Sequence, residues 1–319
     1  MDITRRDFGL GAVSVGLAPS LLRHRARPTI KVVGVGGAGG CLLNQLVERG
    51  MNADFMAIDV DGGELSRSLA STRVQLDKRL VTASFAEIPE LNVDADIVVV
   101  LVGMGGRTGT VVAPIVARHA KGIGGRVVVV ASRPFEMEGR RRLLAAKVGM
   151  DELLMGADML MSPVANRHLT HMVSERATFQ ALLKFAHSIQ ADAIEALIEL
   201  LNHASMRTLA RLAASLFART AVLSVGSAGG PTAYEAALRA VCSATMNPRA
   251  IATAKWALIR VKCARRADAE KVVATVRDEI PGHLGVRWGW VEDWSMDEVL
   301  VTVLPVWVKR GGPGNCSKL

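Results

Sequence analysis

A chain of 319 residues with 50% apolar and 22% charged residues can bury one or two substantial cores, and that composition excludes a mainly disordered protein. Aromatics make up only 4% while Gly, Ala and Val are abundant, which suits helices packed closely on strands and argues against an all-β sandwich. The net charge of +9 is concentrated at the ends: residues 1–28 hold five arginines against Asp2 and Asp7, and Lys309, Arg310 and Lys318 lie at the other end, so nucleic acid binding is not expected.

Along the chain, the first segment to stand apart is Thr4-Arg5-Arg6-Asp7-Phe8, followed by the mildly apolar Gly9 to Leu22 and the basic run Arg23 to Arg27. Residues 1–28 therefore read as a leader resembling a twin-arginine export signal, too short to span a bilayer and without a clear A-x-A cleavage site. The competing reading is a cytoplasmic protein whose leader is a disordered or membrane-surface tail, so any membrane contact is expected through this segment alone. Cys41, Cys242, Cys263 and Cys316 stand far apart with no CxxC pair. Neither a disulfide framework nor a zinc site is expected. That cysteine pattern favours the cytoplasm, with export as the alternative.

From Thr29 the pattern becomes strand, glycine loop, helix and strand: Ile30 to Val33, Gly34 to Gly40, Leu42 to Glu48, then Phe55 to Ile58. Ile97 to Val102 and Arg126 to Ala131 are continuous apolar runs of the kind parallel strands show when covered on both faces, with a helical period over Thr110 to Ala120 between them. This alternation predicts an α/β fold with a doubly wound parallel sheet. A long helix is expected over Ala177 to Leu201, with Leu182, Phe185, Ile189, Ala193, Ala196 and Leu200 on one face. Beyond the break at Gly226 to Pro231, the sequence predicts a strand over Ala254 to Cys263, a helix over Ala267 to Ile280, and strands over Val286 to Val291 and Glu298 to Val306. The expected organisation is a nucleotide-binding domain with its central helix over 29–201, a smaller α+β domain over 202–309, and a short tail over 310–319.

Two glycine loops carry the chemistry. Gly34-Val35-Gly36-Gly37-Ala38-Gly39 follows a strand and opens a helix, where glycine lets backbone N–H groups approach a phosphate and the helix start adds a partial positive charge. Asp59, about twenty residues on, completes a dinucleotide fingerprint and makes NAD a competitor. The second loop, Gly103-Met104-Gly105-Gly106-Arg107-Thr108-Gly109-Thr110, again lies between strand and helix. Two such nests on one sheet edge would clamp a polyphosphate from two sides, an arrangement the dinucleotide fold does not need.

These loops, with Asp59-Val60-Asp61, the segment Arg133 to Gly139 with Arg142, the long helix and Gly226, occur in the order found in FtsZ. Over about residues 29 to 309 the chain resembles the FtsZ/tubulin superfamily, most specifically in its GMGGxTGT run. The resemblance implies GTP or GDP as ligand, with Gly36, Gly37, Gly39 and Gly40 lining one phosphate loop and Gly105, Gly106, Thr108 and Gly109 the other. It further places Glu138 near the ribose, Arg142 at the phosphates or base, and Asn166 at the guanine, and it implies self-assembly or assembly with an FtsZ-type relative. On the residues alone, Glu138 and Arg142 read equally as a surface i,i+4 pair.

The chain also departs from that pattern. Arg107 stands where the family has Gly, at a position expected to favour positive φ, where a bulky residue costs about 1 to 2 kcal/mol unless its guanidinium gains a phosphate. Cys41 replaces an Asn, and His187 and Ser188 fall near the base-reading pair of the long helix. The segment Asp77 to Asn92 is too short for the loop and helix that sense the terminal phosphate. No Asp or Glu occurs from Leu200 through Tyr234, where about three would be expected by composition. Arg207, Arg211 and Arg219 stand there instead of the acidic loop that orients the attacking water in the family. The expected protein is a divergent, FtsZ-like nucleotide-binding assembly protein with hydrolysis weak or lost. An NAD-dependent oxidoreductase and a nucleotide-free interaction module are the alternatives.

Overall fold

The computed structural model describes residues 28–79, 91–162, 178–203, 219–222, 224–229, 256–292 and 298–308. Its seven parallel strands are β1 (Ile30–Val35), β2 (Asp54–Asp59), β3 (Thr72–Gln75), β4 (Ile97–Gly103), β5 (Arg126–Ser132), β6 (Met159–Ser162) and β7 (Arg219–Val222), in the spatial order 3-2-1-4-5-6-7. The helices joining them are α1 (Gly36–Glu48), the one-turn α2 (Gly62–Ser66), α3 (Arg107–Gly122), α4 (Arg140–Gly156) and the long α5 (Phe179–His203).

Successive strand residues point to opposite faces, and both faces are dry. Ile30, Val32, Val99, Leu101, Val128 and Val130 form one core with Leu42, Leu43 and Leu46 of α1 and Ile194 and Ile198 of α5. Val33, Val35, Val98, Val100, Val127 and Val129 form the other with Val112, Val116 and Ala117 of α3 and Met150 and Leu153 of α4. Continuous Val/Ile runs follow directly from this double covering. The doubly wound sheet expected from the sequence is present.

The remaining strands extend the same sheet. β8 (Ser224–Gly229), β9 (Trp256–Cys263), β10 (Gly285–Glu292) and β11 (Glu298–Val308) gather around β11, which runs antiparallel to β7, β8 and β9, while β10 lies parallel to β9. Helix α6 (Arg266–Glu279) buries Ala269, Val272, Val273 and Val276 against Ile259, Val261, Val301 and Val303. Trp288 and Trp290 pack on this core from their shared strand face, and the Trp290 indole donates to the Cys263 carbonyl at 3.2 Å.

Two expectations change in detail. The helix after the first glycine loop starts at Gly36 rather than Leu42, because glycines in a first helical turn need no side-chain room and the turn closes on backbone bonds alone. On α5 the buried stripe is Leu182, Ala186, Ala191, Ile194, Leu197 and Ile198. It shares Leu182 with the predicted face, and the side chains of Phe185, Ile189, Ala193, Ala196 and Leu200 lie outside the described residues. Charges fasten α5 on both sides. Arg49, the residue ending α1, donates to Asp192 at 2.6 Å and Glu195 at 2.9 Å, and Glu195 lies 3.8 Å from Arg260 and 3.7 Å from Lys262 on β9.

Candidate functional site

The strand order reverses direction on either side of β1, so the crevice between the carboxyl ends of β1 and β4 is the topological switch point where open α/β sheets hold ligands. Val35 pairs with Val102 across that boundary, which starts the two glycine segments side by side. Gly36 has φ +72°, a region open to glycine, and a Cβ there would lie 3.2 Å from the Gly109 nitrogen. A Cβ on Gly39 would overlap the Leu101 carbonyl oxygen, and one on Gly109 would meet the Gly103 oxygen at 2.5 Å. These glycines let α1 and α3 approach the sheet edge and each other at backbone distance.

Both helices begin without a side-chain cap and without an acidic residue in the first turn: Val35 precedes α1 and Gly106 precedes α3. Two adjacent helix starts of this kind leave N–H groups and partial positive charge facing one crevice, and this fits a polyphosphate. Arg107 adds an exposed guanidinium at the first helical position of α3. The expectation that this position favours positive φ is corrected: Arg107 is helical, and the left-handed residue of the loop is Gly105, at φ +89°. A side chain at Gly105 would strike the Arg142 carbonyl oxygen at 2.7 Å, so α4 closes over the second loop. Met104 N–H donates to the Ser132 carbonyl and Gly105 N–H to the Thr110 hydroxyl, both at 2.9 Å.

Asp59, buried at the end of β2, accepts from Val60 N–H at 2.7 Å, Asp61 N–H at 3.3 Å and the Thr108 hydroxyl at 3.1 Å, all through Oδ1. The carboxylate therefore ties the second loop to β2. A cavity of about 200 Å³ adjoins it, lined by Gly36, Gly37, Gly40, Cys41, Asp59 and Glu64 among others. Glu138 and Arg142 pair with each other at 2.6 Å, and Glu138 also accepts from Phe135 N–H at 2.7 Å. Their geometry is that of an i,i+4 pair closing the turn before α4, at the same sheet edge as the glycine loops. Asn166 lies outside the described residues.

The amino-terminal half of α5 overhangs this edge. Gln190 accepts from the Ser132 hydroxyl at 2.9 Å, and His187 Nδ1 lies 3.5 Å from Cys41 Sγ. Burial pushes the Cys41 thiol up, with Glu48 and Glu64 adding to the effect, and burial pushes the His187 imidazole down. Both groups are thus held neutral around pH 7. The thiol donates to Nδ1 when the imidazole proton is on Nε2, and its sulfur accepts from Nδ1–H in the other tautomer. At the helix start, the Phe179 ring is 41% exposed and stands edge-on to buried Phe135, centroids 5.8 Å apart at 82°. An exposed ring held in this way is a surface on which a base can stack.

The protein-family model described as "Tubulin/FtsZ family, GTPase domain" matches residues 70–174. The cell division protein FtsZ of Bartonella bacilliformis is 27% identical over 310 residues, covering 89% of this chain and 52% of that protein. An empty FtsZ dimer from M. jannaschii superposes with a TM-score of 0.76 at 28% identity, over 88% of each chain. These matches support membership of the FtsZ/tubulin superfamily. A GTPγS-bound protofilament structure of CetZ2 from Haloferax volcanii matches its fold with a TM-score of 0.66 at 20% identity, covering 88% of this chain and 94% of the other. The chain spans about half the length of the Bartonella FtsZ.

Of the residues singled out from the sequence, the structure brings together both glycine loops, Asp59, the Glu138–Arg142 pair and the amino-terminal half of α5. Sequence reading did not anticipate the Thr108–Asp59 tie, which joins residues 49 apart with no local signal. It also missed Phe179, although each aromatic in a chain with so few is conspicuous at the start of an apolar helix.

Proposed function

We propose that this protein binds a guanine nucleotide at the switch-point crevice and acts by assembling, with itself or with an FtsZ-type relative, while hydrolysing GTP weakly or not at all. The observation that carries the binding half is the pair of uncapped helix starts in backbone contact, Gly36 against Gly109. In this reading Gly36, Gly37, Gly39 and Gly40 hold one side of the phosphate chain, and Gly105, Gly106, Thr108 and Gly109 hold the other. Arg107 supplies a charge-assisted hydrogen bond. Glu138 and Arg142 border the ribose and phosphates, Phe179 offers a stacking face, and Asn166 reads the base. The nucleotide-binding unit is taken as residues 29–201 and the smaller α+β unit as 202–309.

Weak hydrolysis rests on the acid-free stretch from Leu200 through Tyr234. Removing a group that positions a nucleophilic water typically costs on the order of 10² to 10⁴ in rate, and arginine cannot accept the proton. The bound nucleotide then serves as a structural element whose charge an arginine from a neighbouring molecule can meet. The CetZ2 protofilament supports assembly as a property of the fold's relatives. Among the described residues no helix is long and apolar enough to cross a membrane.

The test is calorimetry of the full chain with GTP, GDP and NADH, together with phosphate release and light scattering, alone and mixed with an authentic FtsZ. Guanine nucleotide binding, little phosphate release and nucleotide-dependent scattering are expected. Tighter binding of NADH than of GTP would replace this reading with a dinucleotide enzyme, since the 3-2-1-4-5-6 strand order serves both classes.

A further inference from the structure

Helix α4 is apolar on two opposite faces. Ala146, Gly149, Met150, Leu153 and Gly156 are buried against the sheet side. On the far side Leu144, Val148 and Met155 are 55%, 65% and 69% exposed. At about 100° per residue those three side chains fall within roughly 40° of arc, nearly opposite the buried stripe. A solvent-facing helix surface ordinarily carries polar groups along its centre line. Here the polar groups flank it instead. Exposed Arg140 and Asp151 lie on one side of the stripe and exposed Arg141 and Glu152 on the other, with the cations toward the amino end and the acids toward the carboxyl end.

We infer that this face docks on the same face of a second copy of the chain, the two α4 helices lying antiparallel about a two-fold axis near residue 146. In an antiparallel pair, groups on the same side of each stripe meet. This register sets Leu144 against Val148 of the second copy, Arg140 against its Asp151 and Arg141 against its Glu152. Met155 reaches the amino end of the opposing helix, where exposed Met137 lies. One two-fold operation thus matches the apolar stripe and both flanking charge pairs, as an isologous interface requires. A parallel pairing would set like charges together. The two helix dipoles also oppose each other in the antiparallel arrangement. Glu152 already lies 3.1 Å from Arg118 of its own chain, so it would bridge two guanidinium groups.

The interface is independent of the nucleotide crevice and closes on itself, so it produces a dimer and no further growth. A single helix pair falls in the small, transient interface class, and the association is therefore concentration-dependent. It is read by sedimentation velocity of the full chain without nucleotide over roughly 1 to 300 µM, the range suited to that class. A monomer–dimer equilibrium is expected, with Val148→Asp remaining monomeric while keeping the wild-type far-ultraviolet circular dichroism. Arg140→Asp and Asp151→Arg should each weaken dimerisation at least tenfold, and the double variant should recover it, because each reversed charge then faces its complement across the two-fold axis. A monomer throughout that range, a dimer indifferent to Val148→Asp, or a double variant no better than the singles overturns the proposal. Growth beyond the dimer without nucleotide would overturn the closed two-fold geometry, whereas failure of GTP binding leaves this inference unaffected.

Discussion

The Thr108 hydroxyl donates to Asp59 Oδ1 at 3.1 Å, and this bond ties the second glycine loop to the end of β2 across the mouth of the crevice. The second loop is therefore held against β2 by a buried acid that the ligand need not touch. Thr108→Val removes the donor from a buried carboxylate and is expected to cost about 1 to 2 kcal/mol in urea unfolding, with a parallel loss of nucleotide affinity. Thr108→Ser keeps the hydroxyl and should restore most of both. If the serine variant behaves as the valine one does, the methyl group and not the hydrogen bond is what matters.

Neighbouring glycines of α1 should respond in opposite ways to the same added methyl group. At Gly39 a Cβ overlaps the Leu101 carbonyl oxygen, so Gly39→Ala has to push α1 away from β4 and should destabilise by about 1 to 3 kcal/mol. At Gly40 a Cβ meets nothing within 4 Å, and Gly40→Ala should be neutral or gain up to about 1 kcal/mol from helix propensity. Thermal and denaturant unfolding of the two variants decides this. Equal effects would mean that α1 does not sit as close to β4 as the structure has it.

Most of the α/β framework was legible in the sequence because parallel strands buried on both faces leave a signal that needs no partner to interpret, as in Ile97 to Val102 and Arg126 to Ala131. The glycine loops were legible for a similar reason, since residue type alone reports where backbone must approach backbone. β3 and β6 were not, being four residues each and too short for a periodic pattern. The solvent-side apolar stripe of α4 blurred its period and hid that helix as well. Arg107 was misjudged because the left-handed position belongs to Gly105, two residues earlier, and a run of glycines does not say which of them needs the freedom. Contacts such as Cys41 with His187 depend on where α5 crosses α1, which no local spacing encodes.

Acid should weaken the protein through His187. Burial lowers its folded pKa below the ordinary imidazole value of 6.5, so the neutral form is favoured by the fold. The associated stability is present in full above that ordinary value and is lost as pH falls through the lower folded one. His187→Asn removes the titration, and its melting temperature should change less than that of the wild type between about pH 7 and pH 5. Superimposable pH profiles for the two proteins would show that other groups carry the acid sensitivity.

Arg49 serves two carboxylates at once, Asp192 at 2.6 Å and Glu195 at 2.9 Å. Burial pushes the Asp192 carboxyl up, Arg49 draws it back, and Glu195 adds to the rise. Arg49→Ala should therefore destabilise by about 1 to 2 kcal/mol at neutral pH, a figure kept modest because these side chains are partly solvated. The deficit should shrink toward pH 5, where Asp192 without its guanidinium takes up a proton more readily, and Asp192→Asn in the Arg49→Ala background should recover part of the loss. Chemical denaturation of the wild type and the two variants at the two pH values tests both statements. A deficit independent of pH would assign the effect to lost packing of the arginine stem.

Arg107 occupies the first helical position of α3, where a cation opposes the positive end of the helix dipole and costs about 0.3 to 1 kcal/mol. In the proposed nucleotide complex that cost is offset by the ligand, because the guanidinium lies beside two uncapped glycine turns. Arg107→Ala should accordingly raise the unfolding free energy of the nucleotide-free protein slightly, while lowering affinity for GTP by roughly tenfold, as expected for one lost charge-assisted hydrogen bond. Arg107→Lys keeps the charge without the planar fork and should fall between the two in affinity. Opposite signs for stability and binding are the diagnostic outcome, because a side chain that merely decorates the surface would change neither, and one that props the loop would lower both.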